Sequence, residues 1–281
     1  MGIFDKVLLV CDMDGTLLNS EDKISQENIQ AIENFIETGG LFTVATGRKE
    51  TSVEAFLGQL PVNAPAILYN GSVIHDFSLG KPIWAHDLEY DVRPFLKEVM
   101  EAFPEVGVEI YKGNQIFLIR NSSYTHFHRL KENYPDIIHD VDEISLPWRK
   151  VLLAAEPDQL TLVEEYIECR YGTDNMPFKM SRSERFFLEW LALGVSKGRA
   201  IDVLRKEFEY GDYTIVTVGN ETNDLEMLCL PNIGFAVANA HPEAKAVASY
   251  HCAHHDDHPI KEVIDWLKDS ANLTRHYRRE R

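Results

Sequence analysis

Short apolar runs recur along the chain, each closing on small or polar residues. Residues 7–10, 41–45 and 66–69 lie in the first third, and 214–218 and 235–238 in the last. Continuous runs of this length read as strands buried on both faces. Between them the apolar positions switch to helical spacing. Ile29, Ile32, Phe35 and Ile36 predict a helix stopped by Gly39-Gly40, and a second helix is expected at about 50–57. Asn70-Gly71 predicts a hairpin turn, with Val73-Ile74-His75 returning. Ala200, Ile201, Val203 and Leu204 share a further helix, Leu225 and Leu228 a short one, and helices near 242–248 and 259–267 finish the chain. Alternating strands and helices predict an α/β fold with a doubly wound parallel sheet.

From about 83 to 191 the pattern changes. Val92, Phe95, Leu96 and Val99 mark one face of a helix. A hairpin follows, with arms 106–111 and 115–120 joined through Lys112-Gly113-Asn114. Then come a helix at 123–132, a short strand near Ile137-Ile138, a strand at 148–155, a helix at 157–169, and closing strands at 178–181 and 186–190. Hairpins with helices on one side read as an α+β unit inserted into the first domain. The expected division is 1–82 with 192–281 for the core, and 83–191 for the insertion.

Composition narrows the classes. No apolar run approaches the roughly 20 residues that span a bilayer, and no basic region precedes an apolar core at the N-terminus. Cys11, Cys169, Cys229 and Cys252 show no paired spacing, as expected of a protein in the reducing cytoplasm. A net charge of -17 argues against a general nucleic-acid binder, and the basic stretch at 275–281 reads as a solvated tail. An enzyme of this charge acting on phosphates would need local positive charge from a metal, a lysine and backbone N–H groups.

Candidate chemistry clusters at the run ends. The first strand leads into Asp12-Met13-Asp14-Gly15-Thr16, placing two carboxylates where ligands of open α/β sheets bind. Their repulsion calls for a cation, and oxygen donors suit Mg²⁺. A calcium loop fails on spacing, because Leu17 stands where its glycine belongs and Lys23 where its glutamate belongs. The second run ends in Thr46-Gly47-Arg48, a hydroxyl and an unhindered N–H suited to an anion. Arg48 reads as a brace for the loop ahead of a substrate contact. Ser196-Lys197 opens a later helix, and residues 214–218 run into Gly219-Asn220-Glu221-Thr222-Asn223-Asp224.

These four segments, in this order and each at a strand or helix boundary, resemble the motifs of the haloacid-dehalogenase-like phosphatases, in particular the Cof-type, class IIB branch. The resemblance runs from about residue 7 to 267 and is only architectural in the middle. It implies a Rossmann-like core, an inserted α/β cap and Mg²⁺-dependent hydrolysis of a small phosphorylated metabolite, often a sugar phosphate. It assigns Asp12 as nucleophile, Asp14 as acid and base, and Lys197 as a charge beside both Asp12 and the phosphate. Met13, Thr46, Gly47, Lys197 and Asn223 would hold the phosphoryl group. Asp12, Asp14 through its carbonyl, Asn220 and Asp224 would hold Mg²⁺.

Two departures stand out. The family's fourth motif opens Gly-Asp, and here Asn220 replaces the acid, removing a charge from the metal site. A phosphometabolite-binding protein without turnover, or a phosphomutase, is the alternative. Near the C-terminus a Gly-rich segment is replaced by a His-rich tract over 251–258, which suggests a metal site but reads first as a polar surface loop. Tyr111, Arg120, Lys179 and Arg182 are candidates for substrate selection in the insertion, each more simply explained by packing.

Overall fold

In the computed structural model, residues 2–229 and 233–269 are described, so the basic tail at 275–281 lies outside the described residues. Contacts divide the chain into two units, one from residues up to Trp84 together with those from Ser196 onward, the other Ala85–Val195.

In the first unit the chain runs β1 (Val7–Cys11), α1 (Gln26–Glu37), β2 (Leu41–Val44), α2 (Glu50–Glu54), β3 (Ala66–Leu68), β4 (Val73–Asp76) and β5 (Lys81–Ala85). All five side chains of β1 are buried because the strand is paired on both sides. Ser25 caps α1 by accepting the Asn28 N–H at 3.3 Å. The glycines end it: Gly39, at φ 100°, donates to Ile36 O, and Gly40 donates to Phe35 O.

In the second unit follow α3 (Arg93–Ala102), β6 (Gly107–Lys112), β7 (Gln115–Arg120), α4 (Ser123–Glu132), β8 (Lys150–Ala154), α5 (Pro157–Tyr171), β9 (Lys179–Glu184) and β10 (Phe187–Leu191). They form an antiparallel sheet in the order β7-β6-β8-β10-β9. Val108 and Ile110, Val151 and Leu153, and Leu188 and Trp190 alternate onto one face, where they pack with Leu96 and Val99 of α3 and Leu160, Val163 and Ile167 of α5. The intervening positions carry a buried polar network. Lys150 Nζ donates to Glu189 Oε1 at 2.6 Å, and Tyr134 OH donates to Glu109 Oε1 at 2.6 Å. Ile137 and Ile138 form no strand: Ile138 makes one isolated bridge to Leu118, and both side chains are exposed.

The chain returns to the first unit with α6 (Lys197–Glu207), β11 (Thr214–Gly219), α7 (Leu225–Leu228), β12 (Ile233–Val237), α8 (Pro242–Val247), β13 (Tyr250–Cys252) and α9 (Pro259–Lys268). The main sheet has the order β13-β12-β11-β1-β2 and is parallel throughout. Two details differ from the sequence pattern. The run at 66–69 joins this sheet only through one parallel bridge, Ala45–Ile67, and then turns into a separate sheet β3-β4-β5. Its three-residue strand ends where Asn70, at φ 57°, and Gly71, at φ 102°, reverse the chain. His251 and Cys252, placed by their composition in a polar loop, lie instead in edge strand β13. Tyr250 there stacks on Phe235 of β12 and packs on Trp266 of α9, partners remote in sequence that leave no periodic signal.

Candidate functional site

Parallel register brings the strand ends level. Cys11 pairs with Val44 on one side and Val218 on the other, so Asp12, the 45–48 turn and the 219–224 turn leave the sheet side by side. Asp12 N–H donates to Val218 O at 2.9 Å, and Ala45 N–H donates to Cys11 O at 2.8 Å, holding the three exits together.

Lys197 is the first residue of α6, whose cap Ser196 accepts the Arg199 N–H at 3.0 Å. The Lys197 side chain is 1% exposed, and its Nζ donates to Asp12 Oδ1 at 2.6 Å and Asp224 Oδ1 at 2.7 Å. Burial alone would lower the lysine's pKa, but the two carboxylates reverse this and raise it, so Lys197 stays charged. Asp12 is pushed up to about 7: burial is the largest cause, repulsion from Asp224 and Asp14 adds to it, and Lys197 opposes it.

Asp224 has both oxygens engaged. Oδ2 accepts the N–H groups of Asn220 at 2.8 Å and Glu221 at 3.1 Å, while Oδ1 takes Lys197. Gly219 permits this, because a Cβ there would stand 2.6 Å from Asp224 Oδ2. Asp224, expected as a metal ligand, is thus also the post that ties Lys197 to the turn. Asn220 Oδ1 accepts from Thr16 Oγ1 at 3.1 Å, and its Nδ2 lies 2.6 Å from where a Cβ on Gly15 (φ 71°) would be. Asn239 Nδ2 donates to Gly15 O at 2.8 Å.

Asp14 is held by Arg48, whose Nε and Nη2 donate to its two carboxylate oxygens at 2.8 and 2.5 Å. Met13 is buried at the start of the turn that carries Asp14. Thr46 is buried and its Oγ1 accepts the Arg48 N–H at 3.2 Å. A Cβ on Gly47 would lie 3.1 Å from Asn70 Nδ2, and Asn70 Oδ1 accepts from Asn223 Nδ2 at 3.0 Å. Asn223 Oδ1 is buried without a protein hydrogen-bond partner.

Asp12, Asp14, Thr46, Gly47, Lys197, Asn220, Asn223 and Asp224 are therefore linked, directly or through one residue, by contacts within the first unit. Thr16, Asn70 and Asn239 complete the linkage without having been given a role from the sequence, where Thr16 closes the first carboxylate segment and Asn70 marks a turn. Arg120 and Arg182 sit in the second unit as packing residues: Arg120 donates to the Met100 and Phe103 carbonyls at the end of α3, and Arg182 pairs with Glu164 at 2.7 Å. Tyr111 is buried, and Lys179 begins β9.

The donor set suits Mg²⁺. The Asp12 and Asp224 carboxylates, the Asp14 carbonyl and the Asn220 amide oxygen are all hard oxygen ligands. A carboxylate raised first by burial and further by repulsion from two others is also what a divalent cation relieves.

A family model described as haloacid dehalogenase-like hydrolase matches residues 9–264. A Streptococcus pyogenes protein named putative phosphatase is 27% identical over 268 residues, covering 92% of this chain and 96% of its own. A Bacillus subtilis protein named 5-amino-6-(5-phospho-D-ribitylamino)uracil phosphatase is 25% identical over 284 residues, covering 92% and 97%. Among solved structures, a haloacid dehalogenase-like hydrolase from Bacteroides thetaiotaomicron superposes with a TM-score of 0.79 at 25% identity, covering 94% of this chain and 100% of its own.

Proposed function

The chain belongs to the haloacid dehalogenase-like hydrolase family, and from that premise we propose that it is a Mg²⁺-dependent phosphatase of small phosphomonoesters working through an aspartyl-phosphate. The observation that carries this is the buried bridge from Lys197 to Asp12 and Asp224 at the ends of β1 and β11. A carboxylate fixed through one oxygen presents the other for attack.

Asp12 attacks phosphorus through Oδ2 while Lys197 holds Oδ1. The bond from phosphorus to the ester oxygen breaks, and Asp14 gives that oxygen a proton. Paired with Arg48 the Asp14 carboxylate carries no proton, so it must first leave the guanidinium and take a proton from solvent. Water then loses a proton to Asp14 and attacks phosphorus, breaking the bond to Asp12 and releasing phosphate. Thr46, Gly47 and Asn223 donate to the phosphoryl oxygens, and Lys197 offsets their charge. Asp12, the Asp14 carbonyl, Asn220 and Asp224 would hold Mg²⁺, which when bound would supply charge neutralisation. Asp224 also positions Lys197 and the 219–221 backbone.

The second unit, as a cap, selects the leaving group. The ribityl phosphate in one relative's name supports a sugar- or polyol-phosphate class. Release of phosphate from p-nitrophenyl phosphate with and without Mg²⁺ tests the reading. Asp12→Asn lowers the rate by about 10⁴-fold or more with the fold intact by circular dichroism; retained turnover would refute the nucleophile.

Asn220 favours a second reading, a phosphometabolite-binding protein. In that case ligands raise the melting temperature without turnover, and Asn220→Asp switches hydrolysis on.

A further inference from the structure

The His-rich tract is not a loose surface loop. Between β13 and α9 the backbone brings His254, His255 and Asp256 together, with one ligand atom of each within 4.8 Å of the others. His254 Nδ1 lies 3.4 Å from Asp256 Oδ2, and His255 Nε2 lies 3.9 Å from it. In a tetrahedral site with bonds of about 2.0 Å the ligand atoms stand about 3.3 Å apart, so small turns of the imidazoles close the set.

The surroundings orient His255 and Asp256. His255 Nδ1 lies 2.8 Å from the Leu18 carbonyl. A carbonyl only accepts, so Nδ1 carries the hydrogen and Nε2 of the neutral ring keeps its lone pair. His254 Nδ1 carries its lone pair, now accepting the Asp256 N–H at 3.2 Å, a bond that an incoming ion displaces. Asp256 is fixed by Ser20, whose N–H and Oγ donate to its two oxygens at 2.8 Å each. Two histidines and one carboxylate, partly exposed and oriented by neighbours, match borderline transition ions over Mg²⁺.

We propose that His254, His255 and Asp256 form a binding site for a Zn²⁺-class transition ion, distinct from the Asp12 centre. Three anchors tie it to the turn after Asp14: Leu18, Ser20, and Asn239, which joins the His255 N–H to the Gly15 carbonyl. A bound ion fastens the 253–258 loop to that turn.

The test uses tag-free, chelator-stripped full-length protein titrated with Co²⁺ and, by competition with a chromophoric chelator, Zn²⁺. The intense visible band of low-coordinate Co²⁺ saturates at one equivalent, any Co²⁺ at the Asp12 centre adding only weak octahedral absorption, and the intense band is retained in Asp12→Asn. His254→Gln and His255→Gln each weaken binding at least tenfold. Ser20→Ala, which removes the Oγ bond to Asp256 Oδ2 and keeps the N–H bond to Oδ1, weakens it about tenfold. Circular dichroism checks that the variants fold, and the wild-type Co²⁺ spectrum needs no variant. Absence of the intense band, its loss in Asp12→Asn, or full affinity in folded histidine variants would each overturn the proposal.

Discussion

Asp12 is placed where its charge is least welcome. Its carboxyl is raised to about 7 by burial, whereas in the unfolded chain it titrates near 4. Between roughly pH 4 and 7 the native, metal-free protein therefore binds a proton that the unfolded chain has lost. Stability falls as pH rises through that window. Thermal melts in chelator from pH 5 to 8 should show a falling melting temperature in wild type and a flatter profile in Asp12→Asn. Asn220 acts in the opposite sense, by withholding a charge. In Asn220→Asp the added carboxylate raises Mg²⁺ affinity about tenfold or more, read by titrating phosphate release against Mg²⁺. Unchanged half-saturation would separate residue 220 from the metal.

At the scale of elements, the approach of α6 to α7 decides where Lys197 points. A Cβ on Gly198 would lie 2.7 Å from Glu226 Cβ and 2.8 Å from the Glu226 backbone carbonyl carbon, which cannot move aside as a side-chain tip can. Gly198→Ala should therefore cost about 1–3 kcal/mol of stability, measured by urea unfolding. It should also lower the rate of phosphate release, because the residue beside it is Lys197. The cap of α6 belongs to the same contact: Ser196→Ala removes both the bond to the Arg199 N–H and the Oγ bond to Glu226 of α7, and costs about 1–2 kcal/mol in the same measurement.

For the whole molecule, charge is the governing quantity. A chain of net charge -17 repels a phosphomonoester before any contact forms. Raising the ionic strength at saturating Mg²⁺ screens this repulsion and should increase kcat/KM for a dianionic ester about two- to fivefold. A decrease would indicate a local positive field strong enough to outweigh the surface. Among the described residues no helix is long and apolar enough to cross a membrane.

Local signals carried the elements and the order of the motifs. Buried parallel strands announce themselves as continuous apolar runs, and Ser25, Gly39 and Ser196 mark helix ends through bonds made within a few residues. What pattern could not supply came from partners distant in the chain. The bridge between Lys197 and Asp12 spans 185 positions, Thr16 meets Asn220 across 204, and Ser20 meets Asp256 across 236. The buried Lys150–Glu189 pair and the grouping of His254, His255 and Asp256 likewise depend on how strands and loops stack. A side chain's type and neighbours in sequence limit what chemistry it can do. Whether it is desolvated, and which charge or donor faces it, is settled only when the sheet brings separate segments within hydrogen-bonding distance.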